Sequence, residues 1–195
     1  MSLDGLLTNK EFGNCICQIK LNSGLFGKKP AGIDIFENGI RLVFKSGEQL
    51  YSYSDITAIK SMDYFYPNPI TYNFDIFQAD KKIASVAIPY VNRIVGTQLL
   101  TAHKNAVLGS DFPENLSTTA YALDEYLSWE KNKLVYNGRK GKEEYPPEQI
   151  DSFISKDGCY FFTLKNSNKT IGILLHNSPN CLMAIELCTA IAAMK

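Results

Sequence analysis

The apolar positions of the first half of the chain alternate with polar ones over several short runs and then change to helical spacing. Within residues 32–44 the alternation is interrupted by Asn38 and Gly39, a pair that favours a tight hairpin turn. Within residues 92–108 the apolar residues Ile94, Val95, Leu99 and Ala102 follow helical spacing, which predicts a helix. Further strands are predicted over residues 49–59, 72–79 and 83–88.

The second half presents the same kinds of segment in the same order. Residues 126–131 and 133–136 alternate on either side of Asn132, which predicts a second hairpin. Residues 179–194 carry a strong amphipathic pattern and predict the final helix. Strands are predicted between them over residues 144–154, 159–165 and 170–175.

The two halves can be aligned with each other by residue number. Ile35 aligns with Trp129 and Ile56 with Ile150 at an offset of 94, whereas Ile83 aligns with Ile171 at an offset of 88. The difference of six equals the length of an aromatic, proline-bearing segment, residues 64–69, that only the first half contains. We therefore expect an internal duplication; the alternative is a shared strand count without common descent.

Such a unit is expected to be a bent antiparallel sheet or partial barrel whose open end is closed by the apolar face of its C-terminal helix. We predict an α+β, mainly β fold with a first unit over residues 14–108 and a second, shorter unit over residues 126–195. Residues 109–125 are predicted to connect them, with a short helix of their own around residues 118–123.

Several motifs carry a resemblance to a known family. Residues 33–40, read as I-D-I-F-E-N-G-I, and residues 53–56, read as Y-S-D-I, resemble an uncharacterised bacterial family of tandem pleckstrin-homology-like (PH-like) proteins. The second half resembles the same family at residues 145–150, 157–158 and 178–182. The resemblance spans residues 12–195. It implies two tandem PH-like units and no particular activity.

The apolar pattern also predicts which side chains form the core. In the first unit we expect burial of Ile35, Ile40, Ile56, Ile59, Ile83, Val86 and Leu99. In the second unit we expect burial of Trp129, Leu134, Ile150, Phe162, Ile171, Leu182 and Ile185. A one-residue error in strand register would turn every side chain of that strand to the opposite face.

Composition narrows the function classes. The 195 residues include 20 acidic and 20 basic side chains and 45% apolar residues, which argues against disorder and against a nucleic-acid binder. No run is long enough to span a bilayer and the first residues do not read as a signal peptide, so a cytoplasmic protein is expected. The five cysteines, among them Cys15, Cys17, Cys181 and Cys188, fit buried reduced thiols better than disulfides or a metal site.

Motifs for catalysis are weak. The sequence contains no glycine-rich phosphate loop and no nucleophile elbow. Its two histidines, His103 and His176, are expected to have structural roles, and the paired carboxylates are explained by solvation. We predict a protein that is not an enzyme and that needs no cofactor or metal.

Two segments are candidate binding sites. Aromatic residues beside Pro67 and Pro69 are typical of protein interfaces, although the same loop could fold back onto its own sheet. The basic run that precedes Glu143 and Glu144 could hold a phosphate or a lipid headgroup, although a solvated hairpin tip is the simpler interpretation. The interface candidates are Tyr64, Phe65, Tyr66 and Tyr72, and the anion candidates are Lys131, Lys133, Arg139, Lys140 and Lys142.

Three functional hypotheses follow. The leading one is a non-catalytic interaction or scaffold protein that binds a protein partner or associates with itself. The second is a peripheral phospholipid- or phosphate-binding module that uses residues 131–142. The third is a small-ligand carrier or enzyme with its site between the two repeats. Because the net charge is zero, we expect any binding to involve protein and to use the aromatic segment.

Overall fold

The computed structural model describes residues 8–9, 12–21, 29–61, 63–65, 70–157 and 159–194. The chain divides into two compact units, Met1–Val107 and Leu108–Lys195. In the described part of the chain, four small antiparallel sheets and two long helices make the protein mainly β. The predicted mainly β, α+β class with a C-terminal helix is confirmed.

The first sheet of the first unit is built from the two predicted hairpin strands and their neighbours. Strand β3 is buried along its whole length. The hairpin is formed as predicted, but its turn lies at Glu37 and Asn38, one residue before the predicted pair Asn38 and Gly39, because Gly39 already begins the next strand. The sheet contains, in spatial order, β1 (Thr8–Asn9), β2 (Gly13–Lys20), β3 (Gly32–Phe36), β4 (Gly39–Phe44) and β5 (Gly47–Ser52).

The second sheet of the first unit carries a regular apolar face. Along its central strand Tyr72, Phe74 and Ile76 point inward and alternate with more exposed residues. The sheet contains β6 (Ala58–Lys60), β7 (Thr71–Gln78) and β8 (Lys81–Pro89), and it is followed by helix α1 (Arg93–Leu108). The ring of Phe74 lies directly under Gly96, so the helix crosses the sheet at close range.

The second unit also consists of two sheets and a helix. Its helix starts at Asn180, whose side chain accepts hydrogen bonds from the backbone N–H groups of Leu182 and Met183 at 3.0 and 3.2 Å. The first sheet contains β9 (Tyr121–Ala122), β10 (Leu127–Glu130), β11 (Lys133–Gly138) and β12 (Gly141–Tyr145). The second contains β13 (Ile150–Lys156), β14 (Cys159–Leu164) and β15 (Thr170–Ile173), and helix α2 (Cys181–Ala193) follows.

The two units share an order of elements, although the first sheet has five strands in the first unit and four in the second, and several corresponding elements begin at the spacing read from the sequence. Strands β4 and β11 begin at residues 39 and 133, an offset of 94. Strands β7 and β14 begin at residues 71 and 159, and helices α1 and α2 at residues 93 and 181, both at an offset of 88. In each unit a sheet of strands paired in chain order is followed by a three-stranded sheet and a helix.

Two predicted strands prove to be interrupted. Residues 144–154 do not form one strand, because Pro146 and Pro147 lack backbone donors and a 3-10 turn over Pro147–Gln149 separates β12 from β13. Residues 49–59 are likewise divided by a turn at Tyr53–Asp55 between β5 and β6. In both units the chain passes from one sheet to the other at this break.

Most of the expected core is confirmed, with three exceptions. Ile83 is only half-buried because it sits at a β-bulge, where its neighbours Lys82 and Ala84 take the pairing positions. Leu182 and Ile185 are half-buried because the inward face of α2 is centred on Ala184, Leu187 and other residues of its buried stripe. The other expected core residues are buried: Ile35, Ile40, Ile56, Ile59, Val86, Leu99, Trp129, Leu134, Ile150, Phe162 and Ile171.

The segment between the two predicted units has regular structure, but the prediction of a helix over residues 118–123 is wrong. A 3-10 turn covers Glu114–Ser117, and Tyr121–Ala122 pair with β10 as strand β9. Asp124 holds the following turn, since its Oδ1 accepts from the backbone N–H groups of Tyr126 and Leu127 at 2.7 and 2.8 Å. The structure places this segment in the second compact unit.

Candidate functional site

The aromatic interface candidates divide into buried and exposed side chains. Tyr64 and Tyr72 are buried, Phe65 is exposed, and Tyr66 lies outside the described residues. The Tyr64 ring contacts the rings of Tyr72 and Phe74 at centroid distances of 5.9 and 6.4 Å. Tyr64 and Tyr72 therefore belong to the core of the first unit.

Helix α1 holds Tyr64 in place from the other side. The Tyr64 hydroxyl lies 2.8 Å from Oγ1 of Thr97. The guanidinium carbon of Arg93 lies 5.8 Å from the centre of the Tyr64 ring, within the range of a cation–π contact. Part of the aromatic segment thus folds back onto its own unit, which is the alternative that the sequence left open.

Several exposed apolar side chains lie near these buried rings, since the Phe65 ring contacts Tyr64 and the Tyr90 ring contacts Tyr72. We name this group the Ile94 surface, and its members are Phe65 (45% exposed), Ile70 (91%), Tyr90 (40%), Val91 (86%) and Ile94 (69%). The backbone N–H of Tyr90 donates to the carbonyl of Ile70 at 3.1 Å, and the Tyr90 ring stacks on Tyr72 at 5.9 Å. The residues therefore occupy neighbouring positions where β7 begins and where β8 leads into α1.

Sequence periodicity assigned Ile94 to the apolar face of the helix, but the structure does not bury it. Val95, Leu99 and Ala102 are buried. Ile94 is five residues before Leu99 and is rotated by about 140° from it around the helix axis. An apolar residue rotated that far from the buried stripe is the signal in the sequence that could have identified this surface.

The basic candidates also divide into two groups. Lys133 and Lys142 both form salt bridges with Glu144, at 2.8 and 3.1 Å. Hydrogen bonds from these two ammonium groups lower the pKa of Glu144 to about 2. Lys131 is exposed in the two-residue turn before β11 and has a positive φ of 51°. Lys133 and Lys142 are therefore paired within the hairpin, and Lys131 lies at the turn that begins it.

Arg139 and Lys140 have a different setting. Gly138 pairs with Gly141, so Arg139 and Lys140 are the two residues of the turn between β11 and β12. Both line a cavity of about 490 Å³, which we name the hairpin cavity. Its lining consists of Tyr126, Tyr136, Gly138, Arg139, Lys140, Glu143 and Lys169.

Lys169 reaches the hairpin cavity from the loop between β14 and β15 and was not a candidate from sequence. Its ammonium group forms a salt bridge with Glu143 and a hydrogen bond with the Tyr145 hydroxyl. This pairing lowers the pKa of Glu143 and raises the pKa of Lys169. The Lys169 ammonium also lies 5.2 Å from the centre of the Tyr145 ring. The negative charge of Glu143 is therefore already balanced.

The two histidines have different environments. His103 is completely buried on α1, and its Nε2 donates to the backbone carbonyl of Ile56 at 3.1 Å. Its ring also meets the Tyr53 ring edge-on at 5.9 Å, and burial lowers the pKa of the imidazole. His176 is exposed in a 3-10 turn. His103 therefore makes structural contacts within the first unit.

The cysteines are all free thiols, and three of them are buried. Burial raises the pKa of Cys181 to about 12 and also raises that of Cys188. Cys181 and Cys188 belong to the inward face of α2, as their spacing of seven predicts. Among the residues whose placement is described, no three His, Cys, Asp or Glu side chains cluster as a metal site would require.

No helix in the described part of the chain is long and apolar enough to span a membrane. The sequence matches no family model, and no curated protein is similar enough to count as a relative.

Proposed function

We propose that this chain is a non-catalytic interaction protein built from two PH-like units that arose by duplication. The shared order of elements and the offsets of 94 and 88 at corresponding starts support the duplication. The PH-like assignment rests on the sequence motifs and on each unit ending its strands with a helix. Five free thiols are in keeping with a cytoplasmic location, which we also propose.

The observation that carries the interaction function is the Ile94 surface. Ile70, Val91 and Ile94 expose most of their side chains, and the backbone N–H of Tyr90, the residue before Val91, donates to the carbonyl of Ile70. Single exposed apolar residues are common on monomers, whereas a contiguous group is typical of an interaction site. Fully burying an Ile or Val side chain contributes about 1.5–3 kcal/mol, so this group can provide a substantial part of the energy of association.

A protein partner fits this surface better than an anionic ligand or an anionic membrane does. The charged group closest to it on the chain is Arg93, and that guanidinium is engaged with the Tyr64 ring. Apolar centres with aromatic members are the common composition of protein interfaces. The proposed partner therefore contributes apolar side chains, either from another protein or from a second copy of this chain.

The test compares two matched double variants. Ile70→Ser with Val91→Ser alters the Ile94 surface, and Leu50→Ser with Leu174→Ser alters two exposed apolar residues elsewhere. Sedimentation velocity measures self-association. A photo-cross-linking residue at position 91, compared with one at position 50, measures partner contact in the cells that make the protein.

Self-association should be lost in the first variant and retained in the second, and in the otherwise unchanged protein position 91 should cross-link to a partner more than position 50 does. A protein that stays monomeric at all concentrations, with no more cross-linking from position 91 than from position 50, would contradict the proposal.

A further inference from the structure

The lining of the hairpin cavity in the second unit carries an excess of positive charge. Arg139 and Lys140 form no salt bridge with any residue that the structure describes, whereas Lys169 and Glu143 balance each other. The lining therefore presents two net positive charges. Glu125, which bonds the Tyr126 hydroxyl, lies outside the lining.

The two basic residues also have a defined place in the hairpin. They form the complete turn between Gly138 and Gly141, whose pairing closes the β11–β12 hairpin. An arginine at such a position can donate two parallel hydrogen bonds to a phosphate group, and a neighbouring lysine adds a third. A phosphate monoester carries close to two negative charges at pH 7, which equals the excess in the cavity.

Aromatic walls form the other side of the cavity. Tyr136 packs directly on Gly138, because a Cβ atom at position 138 would lie 2.5 Å from Cε1 of Tyr136. The ring is thereby fixed against the hairpin backbone. Tyr126 is a second ring of the lining and is substantially exposed. Tyrosine rings offer flat surfaces on which a planar group can stack.

We propose that the hairpin cavity binds a sugar phosphate monoester whose sugar also carries a planar ring, as in a nucleoside monophosphate. Arg139 and Lys140 hold the phosphate, and Tyr126 and Tyr136 contact the ring. The cavity volume of about 490 Å³ lies in the range of small-ligand sites. This site belongs to the second unit and does not depend on the interaction function proposed for the first.

Calorimetric titration with adenosine monophosphate tests the proposal, with adenosine and ribose 5-phosphate as the two partial ligands. Each partial ligand should bind about tenfold more weakly or worse, because each lacks one half of the contacts. Vesicles of phosphatidylcholine with phosphatidylinositol 4-phosphate, compared with vesicles that contain phosphatidylserine, test whether a lipid headgroup is the source of the phosphate.

Substitutions distinguish binding in the cavity from attraction by positive charge elsewhere on the hairpin. Arg139→Ala and Lys140→Ala should each weaken binding about tenfold or more, and Arg139→Lys should weaken it although the charge is kept. Tyr126→Ala should lower affinity for the nucleotide but not for ribose 5-phosphate. Lys131→Ala is the matched control and should have no effect. Trp129 fluorescence confirms that each variant is folded.

Tighter binding of adenosine monophosphate than of either part, lost on changing Arg139, would support the proposal. No binding of the nucleotide at millimolar concentration would overturn it. It would also be overturned by equal losses from Arg139→Ala and Lys131→Ala, or by binding only to anionic vesicles without preference for the phosphorylated lipid. Those outcomes would show a general electrostatic attraction instead of a built cavity.

Discussion

The indole Nε1 of Trp129 donates a hydrogen bond of 2.7 Å to the backbone carbonyl of Leu116. Both residues are buried, and they join strand β10 to the segment that precedes the second unit's first sheet. The segment predicted as a connection is thereby part of a folded core. Trp129 is the only tryptophan of the chain, so its fluorescence reports on the second unit alone.

Replacing Trp129 with Phe should destabilise the second unit by roughly 2–4 kcal/mol. The change leaves the buried Leu116 carbonyl without its donor and removes buried volume. Urea unfolding followed by circular dichroism measures the loss. Tyr126→Phe, which alters an exposed ring in the same sheet region, is the control and should change stability by less than about 0.5 kcal/mol. Equal effects of the two changes would show that the indole bond does not anchor the segment.

Tyr64 and Phe65 are adjacent aromatic residues with opposite roles. Tyr64→Ala should cost about 3–5 kcal/mol of first-unit stability, because the ring is buried against Tyr72 and Phe74. Phe65→Ala should cost less than about 1 kcal/mol and should instead weaken association through the Ile94 surface. Urea unfolding and sedimentation of both variants make the comparison. A stable Tyr64→Ala protein would contradict the assignment of Tyr64 to the core.

His103 should make the first unit sensitive to acid. Burial lowers the pKa of His103 in the folded protein below its unfolded value of about 6.5. At pH values below 6.5 the unfolded chain therefore binds a proton that the folded chain does not. Stability is complete above this pH and is lost as the pH falls through it towards the lower folded pKa.

Amide hydrogen exchange in β6 and β7, corrected for the intrinsic effect of pH, measures this loss in the first unit. His103→Gln should flatten the pH dependence, because glutamine stays neutral. His176→Gln changes the exposed histidine and should leave the dependence as it is in the parent protein. If the His176 variant flattens the pH dependence instead, the effect does not come from His103 and the prediction is wrong.

Gly96 allows helix α1 to approach the second sheet of the first unit. A Cβ atom at position 96 would lie 2.6 Å from Cζ of Phe74, a completely buried ring. Gly96→Ala should therefore destabilise the unit by about 1–3 kcal/mol, even though alanine favours the helix. Phe74→Leu removes the opposing ring edge. In a double-mutant cycle measured by urea unfolding, the combined loss should be smaller than the sum of the single losses.

The order of elements could be predicted from the sequence because it depends on local pattern. The Asn38 and Gly39 pair, the alternation around Asn132 and the two amphipathic segments are signals carried by neighbouring residues, and each led to the observed hairpin or helix. The offsets of 94 and 88 were also readable, since they compare the sequence with itself. The prolines at positions 146 and 147 are also a local signal, in this case for a break, but the predicted strand over residues 144–154 includes them.

The surfaces and the exceptions in the core were decided by contacts between distant residues. Ile83 is only half-buried because the pairing of β7 with β8 contains a bulge at this position. Ile94 is rotated away from Leu99 by the helical spacing, and the packing of α1 determines that its side chain stays exposed. Lys169 joins Arg139 in one cavity through the second unit's fold. Amino-acid pattern determines which faces are apolar, whereas the tertiary fold determines which of those faces are covered and which charges converge.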